Sequence, residues 1–352
     1  MRRSVRHNRY RRTLVAAALA TTVVTGTAGW ATGSAQRPVT GPPPGTAGWR
    51  ADRSLGRELP DPETTSPARV AAFFRGLTPA QREALVRRHP GVTGNLDGVP
   101  VELRYRANEL AVRRDARYAR LAGRQLLAFD PRGRGQVAEV FGDLARSRSV
   151  AVVVPGSDID AGSYDRARDP YGTPAGMAAG LRAATRGATA VIAWAGYTTP
   201  VGVGVDAATG RLAEAGAERL TRFTDGLATT GAPAPAVFCH SYGSVVCGLA
   251  AHRLKAKDLV VFGSPGMRAD NAAGLGTGAR VWAAKDPADW IGKVPNVSLL
   301  GLGHGTDPAS EEFGARRVPA EDAPGHTGYF APGTRSLRAF AAIAALPAGA
   351  GR

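Results

Sequence analysis

A serine, an aspartate and a histidine follow one another along this chain in an order that suits nucleophilic catalysis: Ser241, Asp289 and His326. A serine hydroxyl attacks poorly unless a base removes its proton, and the base performs best when a carboxylate fixes its orientation. Ser241 sits in Val237-Phe238-Cys239-His240-Ser241-Tyr242-Gly243-Ser244, which runs on into Val245-Val246-Cys247-Gly248-Leu249-Ala250-Ala251. The stretch reads as strand, tight turn and helix. It is the pattern of a nucleophile elbow, which lifts a serine to the edge of a sheet between small neighbours. The usual G-x-S-x-G form has glycine where Cys239 stands, and cysteine is small enough to take that place. An ordinary small-residue turn would look similar, so the partners further along carry the weight.

Two carboxylates follow the run Arg280 to Ala284, in Lys285-Asp286-Pro287-Ala288-Asp289-Trp290-Ile291. Asp289 is preferred as the acid, because Ile291 two positions on would pack its loop back onto the core; Asp286 before Pro287 could simply shape the turn. The base should lie in a loop ahead of the last helix. His326, in Pro324-Gly325-His326-Thr327-Gly328-Tyr329-Phe330, meets that requirement, with His304 as the rival. His240 is expected to shape the elbow, and His89 and His252 to be surface or packing residues. An oxyanion hole needs two amide donors. The amide of Tyr242 is one candidate, and that of Ser157, after Val154-Pro155-Gly156, is the other.

These groups need a scaffold. Short apolar runs at Val150 to Val154, Ala190 to Trp194, Ala236 to His240, Leu259 to Phe262 and Arg280 to Ala284 alternate with Ala-rich helical stretches. Runs so continuously apolar suit strands buried on both faces, and their spacing leaves room for crossover helices. The prediction is an α/β chain with a doubly wound, mainly parallel sheet over residues 149–347, preceded by an N-terminal helical region over 66–148. Within that region helices are expected after Ser66-Pro67, after Thr78-Pro79, and from about Val101 to Gln125. Residues 36–65, rich in Pro, Gly, Thr and Ser, are expected to be a disordered linker.

The chain has 352 residues, 43% of them apolar, and a formal charge of +16. That content supports a large core and excludes a disordered polyelectrolyte. Lysine occurs only at 255, 257, 285 and 293, so the charge is carried by arginine. Anionic envelope surfaces are compatible partners; a clustered basic stripe with interleaved aromatics is missing, which argues against nucleic acid. Arginines at 2, 3, 6, 9, 11 and 12 precede an apolar run from Leu14 to Val24, so residues 1–35 are expected to form a signal peptide on a Sec or twin-arginine route, with an uncleaved anchor as the alternative. Cys239 and Cys247 are too few for a disulfide scaffold or a cysteine metal site, and both are expected to stay unpaired in the core.

The motifs together resemble a family of α/β-hydrolases of high-GC bacteria long known only as a domain of unknown function. They are His89-Pro90 with Gly94-Asn95-Leu96-Asp97-Gly98-Val99-Pro100, Arg106-Ala107-Asn108, Val154-Pro155-Gly156, and His240-Ser241-Tyr242-Gly243-Ser244. Gly263-Ser264-Pro265-Gly266, Asp289-Trp290-Ile291, Thr306-Asp307-Pro308 with Phe313-Gly314-Ala315, and His326 with Tyr329-Phe330 follow in the same order. The resemblance implies an α/β-hydrolase fold and a Ser241, Asp289, His326 triad. The expected activity is cleavage of a small-molecule or lipid ester by an exported serine hydrolase, with no cofactor and no metal. Acyl transfer to another acceptor, and a non-catalytic envelope-binding role, are the alternatives.

Overall fold

The structure, a computed structural model, describes residues 35–298 and 301–346. Its strands are β1 (Leu126–Asp130), β2 (Gln136–Phe141), β3 (Ser149–Val154), β4 (Thr189–Ala195), β5 (Ala236–His240), β6 (Asp258–Phe262), β7 (Gly266–Ala269), β8 (Arg280–Ala284), β9 (His304–Gly305) and β10 (Arg316–Val318). Eight of them form one sheet in the order β1-β2-β4-β3-β5-β6-β8-β10, while β7 and β9 pair separately. The pairs from β4 through β10 are parallel, and β2 runs antiparallel to both neighbours.

The central strands are buried on both faces, as their unbroken apolar runs require. Val153, Phe238, Val260 and Phe262 face one core with the helices Pro174–Ala184 and Arg335–Ala345. Val152, Val154, Val237, Cys239 and Val261 face the other, with the helices Arg211–Ala228 and Gly243–Ala250. A sheet covered by helices on two sides is the doubly wound architecture expected. The order reverses between β3 and β5, so the loops after these strands open outward at the sheet's carboxyl edge.

Three expectations are corrected. The region over 66–148 is helical only as far as the 3-10 turn Ala116–Leu121, and the remainder supplies β1 and β2. The apolar run Leu126-Leu127-Ala128-Phe129 belongs to the sheet, because Asp115 caps a fresh turn where the long helix Val101–Arg113 stops. Residues 36–65 are packed as well. They include the helix Thr46–Ala51, whose Trp49 is fully buried, donates its indole N–H to the carbonyl of Pro60 at 2.8 Å, and meets the ring of His89 edge-on. One large aromatic supplies the apolar area that the surrounding composition lacks. Finally, Cys239 and Cys247 form a disulfide with Cα atoms 6.5 Å apart. The side chain of Cys239 leaves β5 on the face that the Gly243–Ala250 helix covers, which brings Cys247 back over it.

The N-terminal helices flank the sheet. Asn95 donates to the carbonyl of Phe129 at 2.7 Å and accepts from its amide at 3.0 Å, while Asn108 donates to the carbonyl of Leu126 at 2.8 Å. Arg104 and Asp97 form a buried ion pair at 2.9 Å. The motifs at 94–97 and 106–108 therefore dock this layer onto the β1 edge. Among the described residues no helix is long and apolar enough to cross a membrane. The expected leader lies outside the described residues except for Ala35.

Because Trp49 is the buried anchor of residues 36–65, Trp49→Ala should lower unfolding stability by about 3–5 kcal/mol. Urea denaturation would measure it, and an unchanged midpoint would show that this segment does not pack on the fold.

Candidate active site

Ser241 leaves β5 with φ of 50°, a left-handed backbone conformation that a side-chain-bearing residue adopts only under surrounding constraint. That constraint is visible. Its amide donates to the carbonyl of Phe262 at 3.0 Å, extending the β5–β6 ladder past the turn. The Ser244 hydroxyl donates to the Ser241 carbonyl at 2.5 Å and shares a 2.6 Å hydrogen bond with the Ser264 hydroxyl, which holds the first helical turn to the loop after β6. A Cβ on Gly156 would lie 2.6 Å from the Ser241 Cβ and 3.1 Å from its Oγ, and one on Gly243 would lie 2.6 Å from the Pro155 carbonyl. Only glycines let the β3 loop and the elbow come this close.

His326 reaches Ser241 from the loop before the last helix. Its Nε2 lies 3.0 Å from the Ser241 Oγ, and its Nδ1 lies 2.8 and 3.0 Å from the two carboxylate oxygens of Asp289. Asp289 is buried. Burial pushes its pKa up, but hydrogen bonds from His326, the Ile291 amide and the Tyr329 hydroxyl outweigh that effect and hold it below the usual carboxylate value. An ionised carboxylate only accepts hydrogen bonds, so Nδ1 carries the proton and Nε2 is left to accept from the serine hydroxyl. An alcohol, an imidazole and a carboxylate in this sequence can generate an alkoxide-like nucleophile and return the proton later.

The rival residues have other partners. Asp286 accepts from the Ala288 amide at 3.1 Å and the Gly325 amide at 3.3 Å, tying the acid loop to the histidine loop. His304 donates from Nε2 to the carbonyl of Ala207 at 2.7 Å, and burial holds its pKa down to about 4. His240 donates from Nε2 to the backbone carbonyl of His326 at 2.8 Å, with its ring stacked on Phe262. Burial, and then the nearby His326, hold its pKa down to about 3, so it stays neutral and fixes the base loop.

Tyr329 is the supporting residue for which sequence reasoning gave no role. Its hydroxyl donates to Asp289 at 2.7 Å and accepts from the Asp286 amide at 3.0 Å. Its place three residues after His326 was the available signal. Gly263 likewise backs the pair, since a Cβ there would lie 3.1 Å from both Asp289 and His326.

The Tyr242 amide begins the elbow helix, and its phenol is anchored beneath, donating to the Thr209 carbonyl at 2.7 Å. Ser157 follows Gly156 directly. Among the described residues neither the Tyr242 amide nor the Ser157 amide is engaged in a hydrogen bond. No group of three or more His, Cys, Asp or Glu that could hold a metal ion occurs among the described residues. A basic cavity of about 450 Å³, lined by Asp143, Arg146, Arg148 and Arg182, opens at the opposite, amino-terminal edge of the sheet, away from Ser241.

A mainly parallel sheet with a serine elbow after β5 defines an α/β-hydrolase fold, and the family resemblance read from the motifs holds. The model of a family described as alpha/beta hydrolase matches residues 130–299, a span that takes in Ser241 and Asp289 and ends before His326. An uncharacterized protein of Mycobacterium tuberculosis is 29% identical over 82% of this chain and 56% of its own length. Another, from Mycobacterium bovis, is 33% identical over 40% of this chain and 48% of its own. The chain thus spans about half the length of the curated relatives it matches. A solved α/β serine hydrolase without a lid, from Xanthomonas campestris, aligns at 17% identity with a TM-score of 0.32, over 60% of this chain and 87% of that one.

Two outcomes follow from this geometry. Gly156→Ala should cut any Ser241-dependent turnover by on the order of a hundredfold with the fold retained, since the added methyl must displace the nucleophile or the loop beside it; turnover near wild type would disprove the close approach. The unfolded chain protonates histidine near 6.5, whereas folded His240 and His304 resist to about 3 and about 4. Stability is then full above pH 6.5 and lost as pH falls below it. Each histidine contributes a slope of up to about 1.4 kcal/mol per pH unit, and the Asp289 contribution is lost at still lower pH. Urea midpoints that stay flat between pH 6.5 and 4 would contradict this.

Proposed function

We propose that the protein is an exported serine hydrolase that cleaves an ester bond through Ser241, His326 and Asp289. The observation that carries this reading is the continuous hydrogen-bonded path from the Ser241 hydroxyl through His326 to the buried Asp289 carboxylate.

In this mechanism the Ser241 Oγ attacks the ester carbonyl carbon while its proton passes to His326 Nε2. The carbonyl oxygen, now an oxyanion, is received by the amides of Tyr242 and Ser157. Asp289 stabilises the imidazolium and holds its tautomer, and it stays ionised throughout. Collapse of the tetrahedral intermediate breaks the carbon–oxygen bond to the alcohol, which leaves with the proton from His326. The acyl group remains on Ser241. A water molecule then gives its proton to His326 and attacks the acyl carbon, and return of that proton to Ser241 releases the acid.

Export is supported by the arginine-rich, apolar leader pattern and by the Cys239–Cys247 disulfide, a bond that persists in oxidising compartments. The excess of arginine suits retention at an anionic envelope surface.

The test is labelling of the folded protein with a fluorophosphonate, the adduct being mapped by peptide mass spectrometry. The expected adduct is on Ser241 and is abolished in His326→Ala. Ser241→Ala should reduce ester hydrolysis by on the order of 10⁴-fold or more, and Asp289→Asn by roughly 10⁴-fold through loss of the correct histidine tautomer. Unlabelled, well-folded protein would remove the catalytic reading.

A further inference from the structure

The large apolar side chains that remain exposed among the described residues are Val201, Val203, Val205, Trp290, Val297 and Leu302, with Val203 at 72%. Single exposed apolar residues are ordinary on a protein surface, but a concentration at one place marks an interaction site. All six lie in the two connections after β4 and after β8, Val205 as the first residue of the short helix Val205–Ala208 and Trp290 as the first of the 3-10 turn Trp290–Lys293. Both loops leave the carboxyl edge of the parallel sheet, the edge that carries Ser241.

Hydrogen bonds and a ring contact tie these connections to the segments that carry the candidate reacting groups. The Asp158 amide donates to the Pro200 carbonyl at 2.9 Å, and the Gly202 amide donates back to the Asp158 carboxylate at 2.8 Å. Asp158 adjoins Ser157 and Gly156, so Val201 and Val203 are carried on the loop latched to the oxyanion side. On the acid side, Trp290 follows Asp289, and its ring lies tilted by 46° to that of His326 with the centroids 4.6 Å apart. The two loops also join each other, through a bridge between Thr209 and Leu302 and a 2.9 Å hydrogen bond from the Gly303 amide to the Ala208 carbonyl. The Gly305 amide donates to the Val297 carbonyl, which brings the last of the six residues to the same junction. An apolar rim therefore runs from the oxyanion side of Ser241 round to its base.

The chemistry of the rim selects its occupant. On the β4 side of the rim, residues 196–205 contain no charged side chain in a chain that is 21% charged, and glycines at 202 and 204 alternate with the exposed valines; Asp206 follows, and the loop after β8 carries its charges at Lys285, Asp286, Asp289 and Lys293. A phosphate, sugar or peptide would need charged or hydrogen-bonding side chains there. An alkyl chain needs only apolar area.

Resting on the serine-hydrolase reading, we propose that this rim binds the acyl chain of the substrate, and that the substrates are esters of medium- or long-chain fatty acids. The ester carbonyl would sit at Ser241 with its chain laid along Val201, Val203, Val205 and Leu302.

The experiment is hydrolysis of p-nitrophenyl acetate, butyrate, octanoate and laurate below their aggregation limits, by the wild type, by the Val201→Ser/Val203→Ser double variant and by Val203→Asp. The wild type should show kcat/KM on the order of tenfold or more higher for octanoate than for acetate, because each added methylene gains apolar contact. In both variants that ratio should fall towards one. A wild-type profile that is flat or favours acetate, or a preference that survives in both variants, overturns the proposal. Fluorophosphonate labelling of the same samples separates the two failures: adduct on Ser241 with no chain-length preference sinks the acyl rim alone, whereas no adduct on folded protein sinks the hydrolase reading with it. Val203 projects into solvent, so its replacement leaves the core intact.

Discussion

The site depends on keeping one serine in a backbone conformation it would not choose. A left-handed φ at a residue with a side chain costs on the order of 1–3 kcal/mol and persists only where its surroundings over-determine it. At Ser241 they do. Its amide is held by the Phe262 carbonyl and its carbonyl by the Ser244 hydroxyl, and the chain at Gly156 and Gly243 approaches too closely for any other residue type. The disulfide adds a covalent tie between the two arms of the turn, since Cys239 belongs to β5 and Cys247 to the following helix. Strain concentrated this way presents the hydroxyl outward at the sheet edge. The close packing around the turn is why positions 156 and 243 hold glycine.

His326 and Asp289 are positioned by a second network, joined to the first at His240. Tyr329 and Asp286 bind the acid loop and the histidine loop to each other, while His240 grips the His326 backbone from beneath. A neutral His240 serves this purpose better than a charged one, because the carbonyl accepts one proton and a second positive ring beside His326 would oppose the imidazolium of the proposed mechanism. Burial holds it neutral. Elbow and base loop thus meet through His240 as well as through Ser241, so neither arm of the site is positioned alone.

Much of this was legible in the chain. Four of the five predicted strands, β3 to β6, are legible because they are buried on both faces and carry unbroken apolar runs, whereas β8 buries only Ala283 and Ala284 fully; Ser241, Asp289 and His326 stand out as candidates because their order and loop contexts satisfy the separate requirements of the proposed triad. β1 and β2 were missed because Leu126 to Phe129 continues the apolar character of the preceding helix, and only the cap at Asp115 marks the break. The packing of residues 36–65 was hidden by composition. One tryptophan among prolines and glycines carries little statistical signal, yet it fills the gap beside His89. β10 is three residues long, too short to show periodicity of its own.

The disulfide runs against the spacing of its cysteines for a physical reason. Cys247 comes eight positions after Cys239, and in an extended chain or a single helix that spacing would keep them apart. The elbow reverses the chain between them. Since alternate residues of a strand face opposite sides, the position two before the nucleophile shares a face of the sheet with the helix that follows, and the second turn of that helix returns over it. The same sharp turn that exposes Ser241 is therefore what makes the bond between its flanks possible. A cysteine in place of the usual glycine is then compatible with the elbow on two counts: it is small enough to be buried there, and its thiol finds a partner that only this turn could supply.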